Sequence, residues 1–342
     1  MAEQNRQIVL VKRPYAAVGD EHFELRVGPV PEPGPGEMLV RVLWLSFDPT
    51  QRGWLNDVPS YIPPVQIGEV MRAGAVGQVV ASNHAEFAVG DLVQGTFGWQ
   101  DYLVTDGRGM LRVAKVPSGV PPQAMLGIYG VTGLTAYFGM IDVARVKAGD
   151  TVFVSGAAGA TGSVAGQIAK LTGARVIGSA GGPEKCAWVR DVAGFDEVID
   201  YRTEDTSARL AAFAPKGLDV YFDNVGGPTL EAALDNLALG ARVALCGGLA
   251  SGYTAEPLPP GPRNYMQLVI KRATMQGFLV LDYVPRFGEG VAQLAQWVAE
   301  GKIRYAEDVV EGLEHAPVTL NRLFEGKNLG KQLLKVADAP IG

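Results

Sequence analysis

Cysteine and histidine are scarce in this chain of 342 residues, which holds only Cys186 and Cys246 and only His22, His84 and His315. Two distant cysteines build neither a disulfide scaffold nor a four-cysteine zinc site, and they fit a reducing compartment. No histidine stands within two helical turns of another or beside a cysteine, and no H-E-x-x-H or C-x-x-C pair occurs. A set of three or four zinc ligands is therefore not expected, and no metal is assigned. The patterns G-x-S-x-G and G-x-x-x-x-G-K-[ST] are also missing, which weakens hydrolase and P-loop readings. No run approaches 18 consecutive apolar residues, and the start, Met-Ala-Glu-Gln-Asn-Arg-Gln, lacks the basic and apolar regions of a signal peptide. The expectation is a soluble cytoplasmic protein. A formal charge of −6 gives nucleic acid or an anionic membrane no bulk attraction, so neither is expected as a partner.

Glycine, in contrast, is abundant. Forty-four glycines point to many tight turns or to backbone that closely approaches a ligand. The length corresponds to about two domains. The first 120 or so residues read as short strands punctuated by glycine: Glu37–Ser46, Ala75–Ala81, Asp91–Phe97 and Trp99–Val104. That spacing suggests a small barrel or partly open sheet. From Thr151 strands alternate with helices. Strands are predicted at Thr151–Ser155, Arg175–Ser179, Glu197–Asp200, Leu218–Phe222 and Ala241–Cys246, and a helix at Ser163–Leu171. Such alternation implies a mostly parallel, doubly wound sheet. Phe287, Val291, Leu294 and Val298 mark a later helix closed by Gly301, and Leu329–Val336 has strand character.

The turn Gly156-Ala157-Ala158-Gly159-Ala160-Thr161-Gly162 follows a predicted strand and opens a predicted helix. It has the A-x-G-x-x-G form of a dinucleotide fingerprint, in which small residues admit a pyrophosphate to the helix N-terminus. At the end of the next strand, where NAD enzymes place an acidic residue, the chain reads Ser179-Ala-Gly-Gly182. Lys185 follows, and Tyr201-Arg202 comes after the third strand. A lysine and a tyrosine there suit a 2′-phosphate, so NADP(H) is favoured over NAD(H). With no metal ligands in view, redox chemistry run by the nicotinamide is the expectation.

These features occur with Phe222-Asp-Asn-Val-Gly-Gly227, Leu258-Pro-Pro-Gly-Pro262 and Lys327-Asn-Leu-Gly-Lys331 in one order. Together they are similar to the zinc-free medium-chain dehydrogenase/reductases of the leukotriene B4 dehydrogenase, prostaglandin reductase and NADP-dependent alkenal double-bond reductase group, to which curcumin reductase-like proteins belong. The resemblance covers nearly the whole chain. It implies a GroES-like domain (1–128, with 312–342 returning to it), a Rossmann domain (129–311), NADPH and a homodimer. Where zinc-dependent relatives carry Gly-His-Glu, this chain reads Ile67-Gly-Glu-Val70.

The reaction implied by the resemblance is reduction of a carbon–carbon double bond conjugated to an aldehyde or ketone. The carbonyl oxygen then needs a donor, and the resemblance assigns it to Tyr253. Cofactor contacts are expected from Ala157, Gly159, Ala160, Thr161, Gly162, Lys185, Tyr201, Asn224, Cys246, Phe278, Val280 and Asn328. Two departures bear on substrate preference. Thr50 stands where many relatives have tyrosine, and Ile270 where some carry a second tyrosine, with Tyr265 nearby. Thr50, Tyr61 and Tyr265 are therefore the substrate-side candidates, and Trp99 is a further possible wall residue. A quinone oxidoreductase, an alcohol dehydrogenase and a non-catalytic NADPH-binding sensor or structural protein remain as alternatives.

Overall fold

The computed structural model describes residues 4–109, 111–257 and 261–340, so Leu258–Pro260 of the proline motif lie outside the described residues. The first 115 residues carry β1 (Gln4–Leu10), β2 (Phe23–Pro29), β3 (Met38–Ser46), α1 (Thr50–Gly53), β4 (Gly74–Ser82), β5 (Leu92–Thr96), β6 (Tyr102–Thr105) and β7 (Ala114–Lys115). Then come α2 (Val131–Phe138), β8 (Thr151–Val154), α3 (Ala160–Leu171), β9 (Arg175–Ala180), α4 (Pro183–Asp191), β10 (Glu197–Asp200), α5 (Thr206–Phe213) and β11 (Leu218–Asp223). The remainder is α6 (Gly227–Asp235), β12 (Leu237–Leu245), α7 (Gln267–Lys271), β13 (Thr274–Gly277), α8 (Phe287–Ala299), β14 (Glu307–Glu311), α9 (Ala316–Phe324) and β15 (Lys331–Lys335). No helix among the described residues is long and apolar enough to cross a membrane.

The β-rich region is organised by β3. Seven of its nine residues are buried, and the strand is long enough to pair with three neighbours. Its opening residues face β6, its length faces β4, and Ser46, Leu45 and Trp44 face Leu333, Leu334 and Lys335 of β15. The last strand of the chain thus closes a sheet begun near the start. Beneath it Met38, Val40, Leu45, Phe47, Trp99 and Leu334 share one core. Trp99, considered above as a wall residue, is fully buried there against the Phe23 and Phe47 rings, which excludes it from any cleft wall.

The second sheet is wholly parallel, with β10, β9, β8, β11, β12 and β13 in that spatial order. This is the order of a dinucleotide-binding doubly wound sheet, whose chain reverses direction across the sheet between its first and fourth strands. Both faces are covered, so side chains of each strand alternate between two cores. Val152, Val154, Val220 and Phe222 face one core, while Phe153 and Tyr221 face the other. The GroES-like plus Rossmann architecture expected from the sequence is the one found.

Candidate active site

The crevice between the C-terminal ends of β8 and β11 is the place where such a sheet binds ligands, and most of the singled-out residues gather around it. Gly156 leaves β8 with φ +62, and Gly159 caps α3 in an extended conformation without any side-chain bond. The first amide groups of α3 are therefore open to an anion. Spacing here is tight: a Cβ at Gly162 would lie 2.3 Å from the Gly156 carbonyl oxygen. Helix and turn approach each other at a distance that only glycine permits. Ala157 is buried and donates its N–H to Ser179 O at 2.9 Å, tying the turn to β9. Ala160 and Thr161 open α3, exposing its first turn to the crevice.

Across the crevice, Asn224 follows β11. Its Nδ2 donates to Ser155 O at 2.7 Å and its backbone N–H to Ser155 Oγ at 3.0 Å. Asp223 behind it is 1% exposed, and its Oδ1 accepts from Tyr221 Oη, Ser155 Oγ and the N–H groups of Val225 and Gly226. Burial holds the Asp223 carboxyl above its usual range. Cys246 and Gly247 donate their N–H groups to Asp223 O, which places the end of β12 beside the same crevice. Burial, helped by the Asp223 charge, pushes the Cys246 thiol up to about 12, so it stays a neutral packed side chain. Phe278 follows β13 and meets the Phe222 ring edge-on at 6.3 Å, and Val280 is buried.

Asn328 reaches the crevice through its neighbour Gly330. Its Nδ2 donates to Gly330 O at 2.9 Å, while the Gly330 N–H donates to Ala158 O at 2.8 Å. One residue on, Lys331 is buried, donating from Nζ to Phe47 O at 3.0 Å and pairing with Asp48. The start of β15 therefore bridges the glycine turn and the loop that enters α1.

At the far end of β9, Lys185 and Arg202 converge on a glycine pair. Lys185 Nζ donates to Gly326 O at 2.8 Å. Tyr201 Oη and Arg202 Nε would lie 2.6 and 2.9 Å from a Cβ on Gly181. Burial first, and the Arg202 charge second, lower the Lys185 pKa. Tyr201 and Arg202 crowd Gly181, and Lys185 and Arg202 meet at Gly326. Although no acid ends β9, Asp200 at the end of β10 accepts the Gly182 N–H at 2.9 Å. Cations and a phenol so grouped suit an anion. Sequence reading weighted Lys185 and Tyr201, and the structure adds Arg202 to the same group.

Tyr253 stands in the loop after β12. It has φ +52, a left-handed conformation that costs a bulky residue on the order of 1–3 kcal/mol. Its Oη accepts the Gly248 N–H at 2.9 Å, and its ring lies against α1, 3.6 Å from where a Gly53 Cβ would be. Burial raises the phenol pKa above its ordinary 10, so it stays protonated near neutrality. Since Oη takes its incoming bond from backbone, its own proton is free to point elsewhere.

The substrate-side candidates divide. Thr50 begins α1, the helix against the Tyr253 ring. Tyr61 is half-exposed and accepts from Trp54 Nε1 at 3.4 Å, just past the same helix. Tyr265, 59% exposed, stands at the entry to α7, where its neighbour Asn264 is bonded to Glu231 and Asp235 of α6. Among the described residues no group of three or more His, Cys, Asp or Glu is placed to hold a metal.

Comparison with known proteins matches two family models: residues 6–113 to the N-terminal domain of oxidoreductase, and residues 160–299 to zinc-binding dehydrogenase. The chain is 44% identical over 340 residues to the NADPH-dependent curcumin reductase of Escherichia coli, covering 98% of each. It is 40% identical to the 2-alkenal reductase (NADP(+)-dependent) of Nicotiana tabacum, covering 90% of this chain and 89% of the relative. The solved structure of CurA in complex with NADPH from Vibrio vulnificus superposes with a TM-score of 0.92 at 46% identity, covering 97% of this chain and 99% of that one.

Proposed function

The chain belongs to the zinc-free medium-chain dehydrogenase/reductases of the curcumin reductase-like group, and from that premise we propose that it uses NADPH to reduce the carbon–carbon double bond of α,β-unsaturated aldehydes and ketones. NADPH fits the residues present: the glycine cradle would hold the diphosphate, Lys185, Tyr201 and Arg202 the 2′-phosphate, and Asn224, Cys246, Phe278 and Val280 would border the nicotinamide. When bound, it supplies a hydride to the β-carbon of the substrate.

The observation that carries the reading is the Tyr253 phenol, half-buried and held protonated near neutrality, with its oxygen anchored by the Gly248 N–H. Hydride addition at the β-carbon leaves negative charge on the substrate carbonyl oxygen. A preorganised donor aimed at that oxygen stabilises the charge as it develops. Tyr253 holds its proton at the hydroxyl and shares it with that oxygen. Thr50 and Tyr61 border the cleft beside it, and the small Thr50 leaves room for a bulkier enone. In this reading residues 1–128 and 312–342, together with β14, which pairs with β15, form the substrate side. The parallel sheet of 129–311 forms the cofactor side, with its Tyr253 loop reaching across to the substrate. The exposed edge strand β13, next to the exposed Met266, Val269 and Ile270 of the α7 segment, supports association with a second copy.

The test follows nicotinamide absorbance with a medium-chain 2-alkenal, its saturated aldehyde and a simple quinone. Rapid NADPH loss with the alkenal alone, yielding saturated aldehyde, is expected. Turnover with quinone only would reassign the protein as a quinone oxidoreductase.

A further inference from the structure

Tyr253 keeps a left-handed backbone that its own side chain disfavours, so something outside the loop must hold it. The holding group is on the other sheet's side of the cleft. Asn56, just beyond α1, donates from Nδ2 to Tyr253 O at 3.0 Å and to Thr254 O at 3.2 Å, across 197 and 198 positions of sequence. One side-chain amide thus clamps two consecutive carbonyls, that of Tyr253 itself and that of the residue after it. Which end of the amide faces the loop is fixed from behind. Arg52 Nη1 donates to Asn56 Oδ1 at 2.8 Å, and a guanidinium only donates, so Nδ2 must turn toward the carbonyls.

Arg52 is itself locked. It is 1% exposed, and its other N–H groups donate to Pro14 O, Tyr15 O and Ala16 O. Burial lowers its pKa to about 10, partly offset by the charge of Glu256, three residues past Tyr253. The Ala255 N–H closes the circuit on Tyr15 O at 2.9 Å. Segment 14–16, α1 and loop 253–256 form one knot, and among the described residues the Asn56 amide is the side-chain donor to the tyrosine's own carbonyl.

We propose that Asn56 is a positioning residue: through its amide the β-rich region holds Tyr253 in its left-handed conformation, with the phenol registered on Gly248. This rests on the reading of Tyr253 as the donor to the substrate carbonyl. Asn56 spends its amide on Arg52 and the two loop carbonyls, so its effect passes through Tyr253.

The experiment measures single-turnover NADPH oxidation by a medium-chain 2-alkenal in the wild type, Asn56→Ala, Asn56→Asp, Tyr253→Phe and the two double variants. Asn56→Asp keeps the acceptor for Arg52 and sets a carboxylate oxygen against the two carbonyls in place of the donor, so with a melting temperature near wild type it decides the matter if Asn56→Ala fails to fold. Either Asn56 variant is expected to slow the single-turnover rate by about 10- to 100-fold, the scale of an ångström-level misplacement. NADPH affinity and melting temperature of Asn56→Asp should stay near wild type, which a merely structural loss would not leave unmoved. In the Tyr253→Phe background the same substitutions should change the rate less than about twofold. Full activity of Asn56→Asp beside an impaired Tyr253→Phe would overturn the inference and leave the donor reading intact. Losses that multiply in the double variants would also overturn it. An unimpaired Tyr253→Phe would instead sink the donor reading, and the role of Asn56 with it.

Discussion

The two walls of the crevice are built by opposite means. On the cofactor wall, the turn from Gly156 to Gly162 closes on itself backbone to backbone, and its longer-range ties, Ala157 N–H to Ser179 O and Gly330 N–H to Ala158 O, are backbone to backbone as well. On the substrate wall, Tyr253 is held by an amide 197 positions away, which an arginine orients against a third segment. A phosphate is recognised by backbone donors that any well-formed glycine turn presents. A carbonyl oxygen that becomes charged only during reaction needs one donor at one point, and long-range side chains fix that point. On the proposed function, backbone wiring serves cofactor affinity and long-range side-chain wiring serves rate.

Breaking the cofactor wall should have the largest effect. Gly162→Val drives a side chain into the Gly156 carbonyl, displacing the turn from several phosphate contacts. Charge-assisted bonds contribute about 1.5–3 kcal/mol each, so NADPH affinity should fall on the order of a thousandfold, as titration by nicotinamide fluorescence would read. Turnover at saturating enone should fall next most in Tyr253→Phe, by about 100- to 1000-fold, while NADPH affinity stays put. The pH profile sharpens this contrast. Tyr253 acts in its protonated form and burial raises its pKa above 10, so its contribution persists through neutrality and falls only as pH rises past that value. A steep loss between pH 7 and 9 that disappears in Tyr253→Phe would contradict it. Lys185→Met should weaken NADPH by about 10- to 100-fold and leave NADH nearly unchanged, read from the two KM values. The smallest effect is expected at Cys246: with its thiol near 12, iodoacetamide at pH 7.5 should label unfolded protein and leave the folded chain's Cys246 intact by mass spectrometry.

The same division explains what the sequence made legible. The glycine turn, the parallel strands and the missing acid after β9 are read from neighbours along the chain, and all stand where expected. β12 begins at Leu237, four residues before its predicted start, because pairing with β11 extends it past Gly240. β1, β2, β13 and β14 went unread. Thr274-Met-Gln-Gly277 has neither alternation nor an apolar run, and partners rather than propensity make it a strand. Trp99 reads as a possible wall residue, with core the commoner fate of such a tryptophan, and the Phe23 and Phe47 rings around it place it in the core. Asn56 and Arg52 carry no local signal whatever, since an asparagine after a short helix reads as a turn residue. Only the fold brings them to Tyr253.

The return of β15 to β3 has a consequence for how the chain is made. Lys331 and Asp48 are separated by 283 positions, and the buried Leu334 completes a core whose other members come mostly from the first hundred residues, while Leu333 packs with Val76, Met125 and Leu126. At about 5–20 residues per second of synthesis, the N-terminal sheet waits roughly 15–60 s for its missing strand. The parallel sheet, continuous in sequence from β8 to β13, has no such wait. The part of the chain made first is thus finished last, and on the ribosome its open β3 edge is the surface most in need of a chaperone.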